Sequence, residues 1–409
     1  MSNQHAPRNV GTLFRQAAVL VTLLLTAAAP AQRFTIRDLG TLPGYPDSQA
    51  MGLSESGLVV GGLKDSSDNW AAFLWDQGEM SVLPLLAGYD SAMARAVNGQ
   101  WIVGQCSYEE GGYTFTRGVR WINGVCEELP PFAGESSAAF DLNSSGYVVG
   151  SSDCCDDLWV PYHACLWTPD GTPGDLGTLG VNNSAAWGIN DAGQIVGWSH
   201  VGTGSEYHAV LWQPGAPPMD LGTLGGNLSV ATAISETGVI TGYSGNLCGD
   251  HHAFVWRPES GMVDLGTLGG SRSGAYDINT RGWIVGFAAN AAEQPRACLW
   301  IDGEAFDLND MVEATGWDGL TEARSVNDRY QIVGMGYVGG DFHAFLLTPV
   351  QIVGDVDGDG DVDLQDLAAL LASYGACVGD PRYNPDADFD DSGCVDLADL
   401  AALLAHYGE

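Results

Sequence analysis

Period-two alternation of small, apolar and polar residues runs through residues 33–350, interrupted every few positions by Gly, Asn, Asp or Pro. Such segments are strand signals. One stretch shows the unit clearly. Ser184-Ala185-Ala186-Trp187-Gly188-Ile189-Asn190 predicts a first strand, and Gln194-Ile195-Val196-Gly197 a second. His208-Ala209-Val210-Leu211-Trp212 predicts a third, and Asp220-Leu221-Gly222-Thr223-Leu224 a fourth. The first two are joined by Asn190-Asp191-Ala192-Gly193, a turn that recurs as Asn143-Ser144-Ser145-Gly146 and Asn279-Thr280-Arg281-Gly282. Asn opens such a turn through its own side chain, and Gly supplies the positive φ that closes it. Tyr330 stands where the last copy should carry that Gly.

An apolar-Val/Thr-Gly phrase recurs with its glycines at 61, 104, 150, 197, 242, 286 and 334, spaced 43 to 48 residues apart. Copies of this length with four short strands each predict a mainly β fold, a seven-bladed β-propeller of four-stranded blades over residues 32–350. An open solenoid is the alternative. The ends favour a ring. Phe34-Thr35-Ile36-Arg37-Asp38-Leu39 is a lone fourth strand, and the last copy stops after its third, His343-Ala344-Phe345-Leu346-Leu347. Pairing the two removes two open sheet edges.

The third strands His163-Ala164-Cys165-Leu166-Trp167 and His252-Ala253-Phe254-Val255-Trp256 carry a family signature. So do Asp264-Leu265-Gly266-Thr267-Leu268-Gly269-Gly270 and its relatives beginning at Asp38, Asp175 and Asp220. On these residues the region resembles the HAF repeats of secreted bacterial proteins. The resemblance implies a secreted, propeller-like module and no particular activity. Val82–Leu86, Glu128–Phe132 and Phe306–Asp310 depart from the pattern.

From Gly354 the pattern changes period and composition. Residues 350–409 hold 14 acids and one base. Asp355, Asp357, Asp359, Asp361, Asp363 and Asp366 occupy positions 1, 3, 5, 7, 9 and 12 of a loop with Gly360 at position 6. Asp388, Asp390, Ser392, Cys394, Asp396 and Asp399 take the same places 33 residues later, with Gly393 at position 6. This is the oxygen-ligand spacing of an EF-hand-type calcium loop, with Asp instead of the usual Glu at position 12. Each loop leads into a helical pattern, and residues 361–375 and 394–408 agree at 12 of 15 positions. Leu367, Leu370, Leu371 and Tyr374 recur as Leu400, Leu403, Leu404 and Tyr407, on one helical face.

Duplicated loop-helix units without entering helices resemble a type I dockerin over residues 351–409. The resemblance implies two calcium ions, one per loop, with Asp361 and Cys394 supplying main-chain oxygen. It also implies a cohesin-like protein as partner, in polysaccharide-associated assemblies. At loop positions 10 and 11, often hydroxyl-bearing in the family, this chain has Leu364-Gln365 and Leu397-Ala398.

Composition narrows the partners. With 51 acids against 15 basic residues the net charge is −36, which excludes a phosphate-binding nucleic-acid interface. Residues 1–31 read as a signal peptide: Arg8 and Arg15, an apolar run from Ala17 to Ala29, then Ala29-Pro30-Ala31. That run is too short to span a bilayer, and the expectation is an exported, soluble monomer. Export permits disulfides, and Cys377 with Cys394, which bracket the link between the acidic loops, is the favoured pair.

No catalytic residue is assigned. His163, His208, His252 and His343 occupy one repeat position and are expected to hold strands together. The strand-three Trp residues are expected in the core, and Asp38, Asp175, Asp220 and Asp264 at turns. Unrepeated insertions, with Tyr108, Glu109, Glu110 and Tyr113 in one and Asp156, Asp157, Trp159 and Tyr162 in another, are the candidate carbohydrate contacts. The leading expectation is a non-catalytic binding or scaffold protein. The alternative is a glycosidase or lyase on the same scaffold; a third is an adhesin whose tail acts only as a clamp.

Overall fold

The computed structural model describes residues 34–154, 162–180, 183–202, 204–312, 316–350, 352–356, 362–390 and 392–408. The expected signal segment lies outside them. The chain is mainly β, and its sheets are antiparallel meanders of four strands. The first runs Asp47–Leu53, Val59–Lys64, Trp70–Asp76, Glu79–Val82, in spatial as in sequence order. The order repeats through residues 91–129, 137–175 and 269–307. Residues 184–264 form two such meanders fused by one parallel bridge, Tyr207 to Leu228. The last meander has three strands, Gly319–Val326, Ile332–Val338 and Asp341–Pro349, and takes its fourth from Phe34–Gly40. This is a β-propeller closed by its own N-terminal strand.

Apolar clusters fill the space between successive sheets. Val196, Ala209 and Leu211 pack on Ala231, Ile234, Ile240 and Phe254. Across the closure, Ala50, Val59, Leu63 and Phe73 pack on Leu39, Val333, Ala344 and Leu346. Serines rivet these interfaces. Ser229, fully buried, accepts from the Ala209 N–H at 2.7 Å and donates to the Gly222 carbonyl at 2.6 Å, both on the preceding sheet. Ser184 and Ser273 do the same, and Ser48 bonds Ala344 and Gly40 to join residues 296 apart. Near the first turns, Asn190 Nδ2 donates to Ser235 O, and Asn327 Nδ2 donates to Ser54 O.

The repeat glycine has a steric cause. A Cβ at Gly61, Gly104, Gly150, Gly197, Gly242, Gly286 or Gly334 would lie 1.9–2.0 Å from a carbonyl oxygen of the neighbouring first strand. Opposite each glycine is an alanine, and the register slips by one residue just after it. The repeated motif is therefore one half of a β-bulge. Tyr330 keeps the turn that other copies make with Gly. Its φ is +58°, and its ring packs 4.4 Å from that of Trp283.

One expected boundary moves. The Asp-Leu-Gly-Thr-Leu segment does not form the fourth strand; that strand ends at its aspartate, as in Pro173–Asp175, Met219–Asp220 and Gly261–Asp264. Each aspartate caps the turn beyond it by accepting the N–H of Gly177, Gly222 or Gly266, whose positive φ leads the chain away from the ladder. Among the described residues the helices are α1 (Leu364–Ser373), α2 (Leu397–His406) and short 3-10 turns. None is long and apolar enough to cross a membrane.

Ser229→Ala strands a buried amide and a carbonyl together, and should cost about 1–3 kcal/mol in urea unfolding. Gly197→Ala, which drives a Cβ into the Ala185 carbonyl, should cost at least as much.

Candidate functional site

The bulges aim one residue per repeat at the propeller axis. Met51, Arg95 and Phe140 are the bulged residues of the first three inner strands. Trp187, Thr232, Tyr276 and Arg324 are those of the rest. All of them line a cavity of about 470 Å³. Phe140 and Trp187 stack face to face, with centroids 4.7 Å apart and planes 12° apart. The Arg324 guanidinium lies 4.1 Å from the Tyr276 ring centre and pairs with Glu322. The residues are unlike one another, whereas the alanine before each is constant. Sequence reasoning missed this cavity, although that contrast was its available signal.

Beyond the bulge most repeats place Gly, Ala or Ser, but two place an aspartate. Asp141 accepts the N–H of Leu142 and of Ile189 on the next inner strand. Asp277 likewise accepts the N–H of Ile278 and Val326 and the Ser325 hydroxyl. Enclosure by the ring of inner strands pushes the Asp141 carboxyl up to about 7 and that of Asp277 up to about 6, against the pull of those donors.

The repeated histidines are strand ties. The Nδ1 atoms of His163, His208 and His252 lie 2.8–2.9 Å from Asp175, Asp220 and Asp264 of the adjoining fourth strand. His343 pairs with Asp38 across the closure at 2.8 Å. Arg296 takes the histidine's place with Asp307 at 2.8 Å. The strand-three tryptophans are core residues: Trp121, Trp167 and Trp300 are buried and donate Nε1–H to backbone carbonyls of Pro84, Pro130 and Leu265. In the first insertion Tyr108 stacks on Phe115 at 5.1 Å, while Tyr113 is exposed. In the second, Asp156, Asp157 and Trp159 lie outside the described residues.

The C-terminal loops are built alike. Asp363 and Asp396 cap α1 and α2 by accepting the N–H of Gln365 and Ala398. Asp366 and Asp399, both buried, complete the capping boxes by accepting the N–H of Asp363 and Asp396. Their other oxygens accept the N–H of Val356 and Phe389, which fastens each loop's start to its end. In the second loop, Asp388, Asp390 and Asp399 each offer a carboxylate oxygen within 4.8 Å of the others. Burial works against ionisation of Asp388, but the Tyr383 hydroxyl and the Gly393 and Ser392 amides prevail and hold its carboxyl below the usual value. Ser392 Oγ bonds the Cys394 carbonyl at 3.0 Å. Asp357, Asp359 and Asp361 of the first loop lie outside the described residues; Asp355 is described.

Cys377 and Cys394 form the disulfide. The apolar residues of each helix differ in burial. Leu370 and Leu403 are buried, whereas Leu364, Leu371 and Tyr374 are exposed, as are Leu397, Leu404 and Tyr407.

No family model matches the chain, and no curated protein matches it. Solved structures to which it is similar include TolB from Acinetobacter baumannii, at 11% identity and TM-score 0.40 over 72% of this chain and 64% of that one. A puromycin-hydrolyzing peptidase from Mycobacterium tuberculosis gives 12% identity and TM-score 0.48 over 74% of this chain and 52% of that one. The β-propeller domain of the Trilobed protease from Pyrococcus furiosus, described as having an open velcro topology, gives 12% and 0.44 over 64% and 82%. The chain thus spans just under two thirds of the first of these and about half of the second. The propeller assignment rests on strand order and closure, not on these likenesses.

Asp141 and Asp277 hold their protons more tightly in the ring than in the unfolded chain. Their contribution to stability is therefore full below about pH 4 and is lost as pH rises through 6 and 7. Urea unfolding of Asp141→Asn and Asp277→Asn from pH 4 to pH 8 should show each variant gaining on the parent chain as pH rises. Parallel curves would refute the perturbation.

Proposed function

We propose that the protein is an exported, non-catalytic binding scaffold: a seven-bladed propeller followed by a calcium-clamped, dockerin-like module that docks a cohesin-like protein. The carrying observation is the duplicated tail. Both units fasten loop to helix through the same buried aspartate, and both leave the same leucine-leucine-tyrosine edge exposed. Two exposed apolar edges of identical composition suit a protein partner better than solvent.

Calcium fits the donor set. Hard carboxylate oxygens recur along the sequence of each loop, a carboxylate can accept N–H bonds and still bind a cation, and a divalent ion relieves the mutual repulsion of closely spaced acids. One ion would be held by Asp355, Asp357, Asp359, Asp361, Asp363 and Asp366. The other would be held by Asp388, Asp390, Ser392, Cys394, Asp396 and Asp399, with Asp361 and Cys394 giving main-chain oxygen. The disulfide ends at the Cys394 sulfur, and its carbonyl, which accepts from Ser392 Oγ, keeps a second lone pair for that role. Residues 1–31 supply the export signal in this reading.

The carbohydrate-active alternative needs paired carboxylates at a set separation. Among the described residues, the cavity lining carries arginines and aromatics and no acid, which favours binding over hydrolysis.

Chelation of the full-length protein should abolish the tail's helical amide signals while leaving the propeller spectrum in place, and calcium titration should restore them with two ions per chain. Asp388→Asn with Asp399→Asn should leave one ion. Full helical signal in excess chelator would overturn the calcium reading. With calcium present, Leu371→Glu and Leu404→Glu together should abolish capture by an immobilised cohesin panel while leaving calcium content unchanged.

A further inference from the structure

The axial cavity holds cations that the rest of the chain does little to neutralise. The protein has only 15 Lys and Arg among 409 residues, yet Arg95, Arg272 and Arg324 all line this one cavity. Arg95 and Arg324 come from bulges on different inner strands, and the Nε atoms of both are buried without a hydrogen-bond partner. Glu322 pairs with Arg324, but among the described residues no acid pairs with Arg95. Burial, together with the nearby charge of Arg324, pushes the Arg95 guanidinium down to about 10. A buried, unpartnered donor is costly, and a charged one more so. In a chain of net charge −36, carboxylates to neutralise it are abundant in sequence, and none of the described ones pairs with it.

Another part of the lining is a flat aromatic face. Phe140 and Trp187 stack, and Trp187 remains 38% exposed, unusual for so large an apolar side chain. Exposed Arg272 and His251 stand among the lining residues at the open side. A volume of about 470 Å³ falls in the range of small-molecule sites. Guanidiniums select carboxylates by matched planar hydrogen bonding, and aromatic faces select flat or ring-shaped bodies.

We propose that the axial cavity binds a carboxylated ring compound, its carboxylate satisfying Arg95 and Arg324 and its ring laid on the Phe140–Trp187 face. This site is separate from the tail and stands or falls independently of calcium.

Isothermal titration of the full-length protein with D-glucuronate and with benzoate tests it, with D-glucose and benzyl alcohol as neutral counterparts. At least one acid should bind with one site per chain, and its neutral counterpart should bind at least about tenfold more weakly. Glucuronate alone would assign an acidic sugar and benzoate alone an aromatic acid; either supports the proposal. Arg95→Met should weaken binding at least about tenfold while raising the melting temperature of the ligand-free protein, because an uncompensated buried charge has gone. Trp187→Ala, at an already exposed position, should weaken binding without lowering the melting temperature by more than a few degrees. The proposal is overturned if neither acid binds, if a neutral counterpart binds as tightly, or if Arg95→Met keeps its affinity or melts lower than the parent.

Discussion

Opposite the inner strand of every repeat sits a glycine with no room for a side chain. Its missing β-carbon leaves space for a first-strand carbonyl that would otherwise be only 1.9–2.0 Å away. That close approach accommodates the bulge, and the bulge turns one residue toward the axis. The serine rivets, the interleaved apolar clusters and the closing strand all assume the inner strands in this bent form. A small backbone constraint, repeated around the ring, thus gives a constant frame and an interior whose residues are free to differ.

The frame was legible from sequence because its causes are local and periodic. Repeat glycines, Asn-initiated turns and the displaced fourth strand at Phe34–Gly40 each carry their own signal, and together they specify a closed ring. The Asp-Leu-Gly-Thr-Leu segment misled because its alternation resembles a strand, while the glycine beyond each aspartate takes a positive φ that breaks the ladder. The histidines were legible as structural from their repetition, and Arg296 with Asp307 shows that the position asks only for a donor to an acid. The cavity was missed, because its residues differ from repeat to repeat and only their shared position after a constant alanine marks them. Arg95 on its own reads as an ordinary surface cation; only the bulge register places it beside Arg324. In the tail, the helices followed from periodicity. Which edge stays exposed did not, because Leu370 and Leu371 are equivalent until the partner unit's packing separates them.

The molecule sets two chemistries apart. Acidic residues outnumber basic ones 51 to 15 and are densest in the tail, where pairs of backbone amides already engage the buried Asp366 and Asp399. Arginine, scarce elsewhere, gathers at the axis against an aromatic wall. One region presents carboxylates and the other guanidiniums. Because the propeller's interior is supplied by bulged residues rather than by loops, its chemistry can change without disturbing the rivets between sheets.

The closing strand also sets an order of events. Thr35 pairs with Thr348, 313 positions away, so the earliest of the described strands waits for the last of them before it has a sheet neighbour. Until then Phe34–Gly40 exposes unpaired backbone edges, the feature that drives strands of different molecules together. Contacts this distant in sequence also slow folding. For this chain the hazardous interval lasts until Asp341–Pro349 is at hand to pair, whatever delays it.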